Sequence, residues 1–294
     1  MMINYNSPSV LKAFLEQEGL GMQKKFGQNF LINPRIRQSL VEALDVKEND
    51  DVWEIGPGLG AMTALLLEKH LKVKAFEIDI GFIRILKQIF SHEKNFNLVE
   101  GDVMKTWSSH APDGKPSAPF LLGNLPYNVG AALLADLIEK GCIFSRMVVT
   151  VQKEVALRMA APAGSPDYSS FSVLCASAYK VKPLMLIRRD SFYPQPNVDS
   201  MGVLLENRND ISYPAVFYPL VRALFVSRRK TVKNNLLAFL SSRKGLQGLS
   251  AKPVELCVAV LQENAISENE RAENLELEVF LSLAKSIDNM RICK

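Results

Sequence analysis

The sequence predicts an α/β protein: a doubly wound, Rossmann-like parallel sheet followed by a small all-helical C-terminal domain. Three observations carry this. Short apolar runs alternate with amphipathic segments between residues 51 and 151, a glycine-rich turn follows the first of those runs, and beyond residue 211 the apolar spacing is helical throughout.

Taken in order, Ser7-Pro8 is an N-cap followed by proline at the first helical position, and Val10, Leu11, Phe14 and Leu15 then recur at helical spacing. Asn33-Pro34 repeats the start signal ahead of Ile36, Leu40, Val41 and Leu44. Between these helices, Lys24-Lys25-Phe26-Gly27-Gln28-Asn29-Phe30-Leu31 reads as an ordered loop. Strands are predicted at 52–55, 73–78, 96–99, 119–122 and 147–151, with helices at 61–68, 82–90 and 129–139 between them. Prolines and a glycine make 108–119 a loop. Segments 178–187 and 200–206 suit a closing antiparallel pair around the proline-rich 192–198, and 207–210 suits a linker. Phe217, Leu220, Val221, Leu224 and Phe225 open the helical part. The expected domains are therefore 1–208, with an N-terminal helical extension over 1–48, and 212–294.

With 294 residues, 48% hydrophobic and 22% charged, the chain can bury a sizeable core. No secretory signal is visible, and no window of about 18 apolar residues suggests a membrane span. A cytoplasmic protein with no membrane partner is expected. Cys142, Cys175, Cys257 and Cys293 are scattered, as free thiols in a reducing compartment would be, and no metal site is expected.

The formal net charge of +4 is small but uneven. Residues 211–254 hold no acid and carry Arg222, Arg228, Arg229, Lys230, Lys233, Arg243, Lys244 and Lys252, whereas in 255–280 only Arg271 opposes a strongly acidic run. Such asymmetry suggests a basic face for a polyanion; a merely solvated helix face is the plainer alternative.

Glu54-Ile55-Gly56-Pro57-Gly58-Leu59-Gly60 ends a predicted strand and opens a helix, so backbone can approach a ligand there. With Ala61 the run also satisfies the relaxed dinucleotide fingerprint, which keeps a nicotinamide-dependent dehydrogenase open. Glu77, ending the second strand, could take both ribose hydroxyls of either cofactor. Asp102, after the third strand, sits where an adenine amino group would be held in a nucleoside methyltransferase, and dinucleotide enzymes have no general need of it.

Asn124-Leu125-Pro126-Tyr127 follows the fourth strand and fits a particular problem. An aromatic amino nitrogen is a poor nucleophile because its lone pair is delocalised. If the Asn124 side-chain oxygen and the Leu125 carbonyl accept its two N–H bonds, the lone pair can turn toward a sulfonium methyl. Pro126 would aim that carbonyl, and Tyr127 would stack on the base.

Jointly, these motifs resemble the bacterial small-subunit ribosomal RNA adenine dimethyltransferases. Further support comes from Glu77-Ile78-Asp79, Phe192-Tyr193-Pro194-Gln195-Pro196-Asn197-Val198-Asp199-Ser200, the segment 225–236 with its Arg228-Arg229-Lys230-Thr231, and Arg271-Ala272-Glu273-Asn274-Leu275. The resemblance implies a sheet of the class I methyltransferase type and S-adenosyl-L-methionine as methyl donor. It implies cofactor binding by Asn29, Leu31, Gly56, Gly58, Glu77, Asp102 and Asn124. Catalysis would rest on Asn124, Leu125, Pro126 and Tyr127, with Phe192 as second aromatic face of a flipped adenine. Arg222, Arg228, Arg229, Lys230 and Lys233 would contact RNA phosphates. The implied substrate is two adjacent adenosines near the 3′ end of 16S rRNA, presented in an immature 30S particle to a monomer. A relative methylating one large-subunit adenine, and a non-catalytic assembly factor on the same fold, are the rivals to this reading.

Overall fold

In the computed structural model, residues 3–20, 29–208, 212–242 and 252–292 are described, residues 291 and 292 by backbone alone. The chain forms two compact units: Met1–Ala156 with Lys180–Asn207, and Leu157–Tyr179 with Arg208–Lys294. The expected division at 208–212 puts 157–179 in the first domain, but its contacts are with the second unit.

The N-terminal helices start where their caps require. In α1 (Pro8–Gln17) the Ser7 hydroxyl accepts from the Val10 N–H. After β1 (Phe30–Leu31), helix α2 (Pro34–Ala43) is capped by Asn33, whose side chain accepts from the N–H groups of Arg35 and Ile36. Then follow β2 (Asp51–Ile55), α3 (Ala61–Glu68), β3 (Lys72–Glu77), α4 (Ile80–Ile89), β4 (Phe96–Glu100) and the short α5 (Val103–Thr106). The expected 108–119 loop contains two 3-10 turns before β5 (Phe120–Asn124). Next come α6 (Gly130–Glu139), β6 (Arg146–Gln152), α7 (Lys153–Ala160), α8 (Ser170–Ala178), β7 (Tyr179–Ile187), β8 (Phe192–Tyr193) and β9 (Ser200–Asn207).

Seven strands form one sheet in the order β4-β3-β2-β5-β6-β9-β7. From β4 to β6 all pairs are parallel, and β9 runs antiparallel to β6 with Ser200 opposite Gln152. Strands covered on both faces need no polar alternation, and β2 accordingly buries Val52, Trp53, Glu54 and Ile55 in succession. Trp53 packs on Phe76 and Phe144, with ring centroids 4.8 and 5.2 Å away. Chain direction along the sheet reverses between β2 and β5, and such a switch point opens a crevice at the carboxyl ends of the strands. A second, two-stranded ladder pairs β1 with β8, setting Phe30 against Tyr193 and Leu31 against Phe192.

In the second unit, α9 (Phe217–Phe225), α10 (Val232–Leu240), α11 (Pro253–Glu263) and α12 (Leu277–Ile292) join α8 around Phe217, Leu224, Leu236, Val260 and Phe280. Tyr168 is buried in the same cluster and donates its hydroxyl to the Leu275 carbonyl at 2.8 Å. That bond helps explain why 157–179 goes with the helices. Cys142, Cys175 and Cys257 are buried thiols, and Cys293 lies outside the described residues. No helix among the described residues is long and apolar enough to cross a membrane.

Candidate active site

The crevice at the switch point is a cavity whose walls come from the first unit. Its floor is the turn after β2, where Gly58 and Gly60 take φ of +59° and +89°. Side chains rarely adopt that backbone, and a Cβ on Gly60 would stand 2.6 Å from the Phe90 ring. Gly60→Val is therefore expected to destabilise the protein by roughly 3 kcal/mol, combining left-handed strain with overpacking. Denaturant unfolding checks this, and wild-type stability in the variant would refute it.

Glu77 ends β3 beneath that turn. Its Oε2 accepts from the Gly58 N–H at 3.1 Å, and its Oε1 from the N–H groups of Ile78 and Asp79, both at 2.9 Å. Burial pushes this carboxyl up to about 7 against the lowering effect of those three bonds. Asp102, also on the cavity wall, caps α5 through Oδ1, which accepts from the Met104 N–H at 3.0 Å. A carboxylate oxygen has more than one lone pair, so both residues can still accept hydrogen bonds from a ligand.

On the opposite wall β5 ends in Asn124, whose Nδ2 donates to the Asn29 carbonyl at 2.8 Å. That bond assigns the amide: Oδ1 is left as the acceptor. Leu125 is buried and its N–H is held by the Thr150 carbonyl at 3.0 Å. The Pro126 carbonyl accepts from Val129 and Gly130 at 3.0 and 2.9 Å, which ties the turn to the start of α6. Tyr127 shares a 2.6 Å hydrogen bond with the buried Ser200 hydroxyl, and its own hydroxyl is shifted to a higher pKa by burial.

The cavity thus brings together Asn29, Leu31, Gly56, Gly58, Glu77, Asp102 and Asn124 to Tyr127. Phe192 is not among its lining residues. Alternation along the short β1–β8 ladder puts Leu31 and Phe192 side by side, and Phe192, 3% exposed, is packed in the core with Leu31 and Leu40. In this conformation its ring is packed in the core rather than on the cavity wall.

Tyr5, Leu11 and Arg37, which belong to no predicted site motif, also line the cavity. Tyr5 donates its hydroxyl to the Leu59 carbonyl in the glycine turn at 3.0 Å. Arg37 had a legible signal, since it lies three and four positions before Leu40 and Val41 on the buried stripe of α2.

The predicted basic face divides. Arg228 pairs with Glu273 at 2.9 Å and donates to the Pro166 carbonyl at 3.2 Å, and Lys233 pairs with Glu268 at 2.7 Å. Both are therefore tied to the acidic run that follows them in sequence. Arg222 is exposed near the end of α9. Arg229 and Lys230 are exposed and make no ion pair among the described residues. Arg243 and Lys244 lie outside those residues, as does 24–28 of the N-terminal motif.

The cavity is rich in acceptors and floored by side-chain-free backbone. Two carboxylates suit the hydroxyls and amino group of an adenosine, and the Asn124 side-chain oxygen is a further acceptor on the cavity wall. A hydride-transfer site has no use for that last acceptor, so sheet and cavity define a Rossmann-like methyltransferase of the S-adenosylmethionine-dependent class.

Residues 19–288 match the family of ribosomal RNA adenine dimethylases, and the chain belongs to that family. It is 45% identical over 293 residues to the Ribosomal RNA small subunit methyltransferase A of Treponema denticola, covering 98% of this chain and 97% of that one. A solved dimethyladenosine transferase from Plasmodium falciparum matches with a TM-score of 0.74 at 28% identity, over 88% of this chain and 97% of that chain. The 23S rRNA methyltransferase ErmE matches with a TM-score of 0.63 at 19% identity, over 88% and 99% of the two chains, a likeness of fold alone. Family membership makes the chain an enzyme, an rRNA adenine dimethyltransferase.

Proposed function

We propose that this chain transfers two methyl groups from S-adenosyl-L-methionine to N6 of each of two adjacent adenosines near the 3′ end of 16S rRNA, within an immature 30S particle, acting as a cytoplasmic monomer in ribosome biogenesis. The observation that carries the reading is the Asn124 amide, held by the Asn29 carbonyl so that its oxygen is the acceptor. When bound, the cofactor supplies an electrophilic methyl group on a sulfonium. Glu77 would hold the ribose hydroxyls of its nucleoside and Asp102 the adenine amino group. Asn124 Oδ1 and the Leu125 carbonyl would accept the two N–H bonds of the target amino group and turn its lone pair out of conjugation. Tyr127, its hydroxyl fixed by Ser200, would stack on the flipped base. No strong general base is required, because the departing N–H proton becomes acidic as the nitrogen gains its methyl.

Small subunits from a strain lacking this modification provide the test. Incubated with the protein and S-adenosylmethionine, their RNA should gain two neighbouring N6,N6-dimethyladenosines, faster in immature particles than in naked RNA. Methylation of a single large-subunit adenine instead would overturn the assignment.

The basic residues are proposed to divide by role as they divide by contact. Arg229→Glu with Lys230→Glu should weaken RNA binding and flatten its logarithmic salt dependence by roughly 0.7 to 0.9 for each phosphate no longer neutralised, with cofactor affinity unchanged. Arg228→Glu should instead lower stability by about 1 kcal/mol, since it replaces an ion pair with Glu273 by repulsion. An unaltered salt slope in the Arg229/Lys230 variant would remove those two residues from the RNA interface.

A further inference from the structure

The cavity wall carries a buried cation with no counterion. Arg37 is 5% exposed, and guanidinium stays protonated at any ordinary pH. Its Nη1 donates to the Leu31 carbonyl at 2.6 Å and its Nη2 to the Asn6 side-chain oxygen, both neutral acceptors. Its Nε is buried with no partner. No carboxylate among the described residues forms an ion pair with it. Glu54, the buried acid ahead of the glycine turn, instead has one carboxylate oxygen taken by the Thr63 hydroxyl at 2.7 Å and the other without a partner. An uncompensated buried charge costs several kcal/mol, and the missing partner is one that brings negative charge and accepts an N–H. Arg37 lines the same cavity as Asn29, Gly56 and Glu77, so a ligand in that cavity can bring it.

We propose that Arg37 binds the carboxylate of the methionine portion of S-adenosylmethionine, the one anionic group on that cofactor; this rests on the cofactor reading above. The carboxylate neutralises the guanidinium from the cavity side, while Asn6 and the Leu31 carbonyl hold the arginine in place. Tyr5, hydrogen-bonded to Leu59, closes the wall beside it. The N-terminal segment thereby becomes part of the cofactor site through Asn6 and Tyr5.

An arginine acting only as a strut between Asn6 and Leu31 would affect all cavity ligands alike; a carboxylate receptor would not. Calorimetry on the full-length protein therefore compares S-adenosylmethionine with its decarboxylated analogue, which keeps the nucleoside and sulfonium. The wild type is expected to prefer the carboxylated ligand by roughly 10- to 100-fold. R37Q should lose most of that preference by weakening S-adenosylmethionine alone. R37K, which keeps the charge and loses the planar fork, should show the same selective loss to a smaller degree, and it carries the test if R37Q does not fold. Equal weakening of both ligands, or an undiminished preference, overturns the proposal. Failure of the wild type to bind S-adenosylmethionine at all would instead overturn the cofactor reading on which it rests.

Discussion

Asn124→Ala is expected to lower the rate of methyl transfer by roughly 100- to 1,000-fold, the range seen when one preorganised polar group is removed from a transition state. Binding of RNA should change less than about twofold. The residue sits at the end of β5, paired with Thr150 of β6, and its backbone stays in place when the side chain is cut. What disappears is the oxygen that accepts one N–H of the target, together with the donor for the Asn29 carbonyl. Single-turnover rates at saturating cofactor and RNA read the chemical step, and filter binding reads the RNA. Equal losses in both would move Asn124 from chemistry to docking. Asn124→Asp keeps an acceptor but sets a carboxylate against the Asn29 carbonyl, so an intermediate loss, on the order of tenfold, is expected.

The parts of this site that depend on local pattern were legible in sequence. Strands β2, β5 and β6 bury several residues in succession, as strands covered on both faces do, and α3 occupies the residues its periodicity predicts. Glu77 and Asn124 end their strands, the glycine turn and Asp102 follow theirs, and a parallel sheet delivers its strand ends to one edge. What depends on a distant partner was not legible. The pairing of β1 with β8 joins two residues at each end of the unit, too short to leave a period. Spacing could name Phe192 as an aromatic beside prolines, but only the ladder shows that it turns toward the core. Charge counting likewise grouped Arg228 and Lys233 with Arg229 and Lys230, because Glu273 and Glu268 return to the first two only after the helices pack.

Burial at the end of β3 makes the cofactor site sensitive to pH, and Glu77 sets the expected direction. Its carboxyl is pushed up to about 7 by burial, above the usual carboxylate range. The folded protein therefore holds a proton that the unfolded chain has already lost. Stability from this group is present below about 4.5, the unfolded value, and declines as pH rises toward 7. Cofactor binding runs the other way. Ribose hydroxyls donate, and an ionised carboxylate accepts more strongly, so affinity should rise close to tenfold per pH unit below about 7 and level off above it. Bound cofactor should accordingly raise the melting temperature more at pH 8 than at pH 6. Glu77→Gln removes the titrating group. It should cost roughly 10- to 100-fold in cofactor affinity at pH 8 and abolish most of the slope between pH 6 and 7. Glu54, also pushed to about 7 by burial, does not line the cavity, so Glu54→Gln should leave the slope standing. Calorimetry at three pH values separates the two, and a slope that survives Glu77→Gln but not Glu54→Gln would assign the proton to the deeper carboxyl.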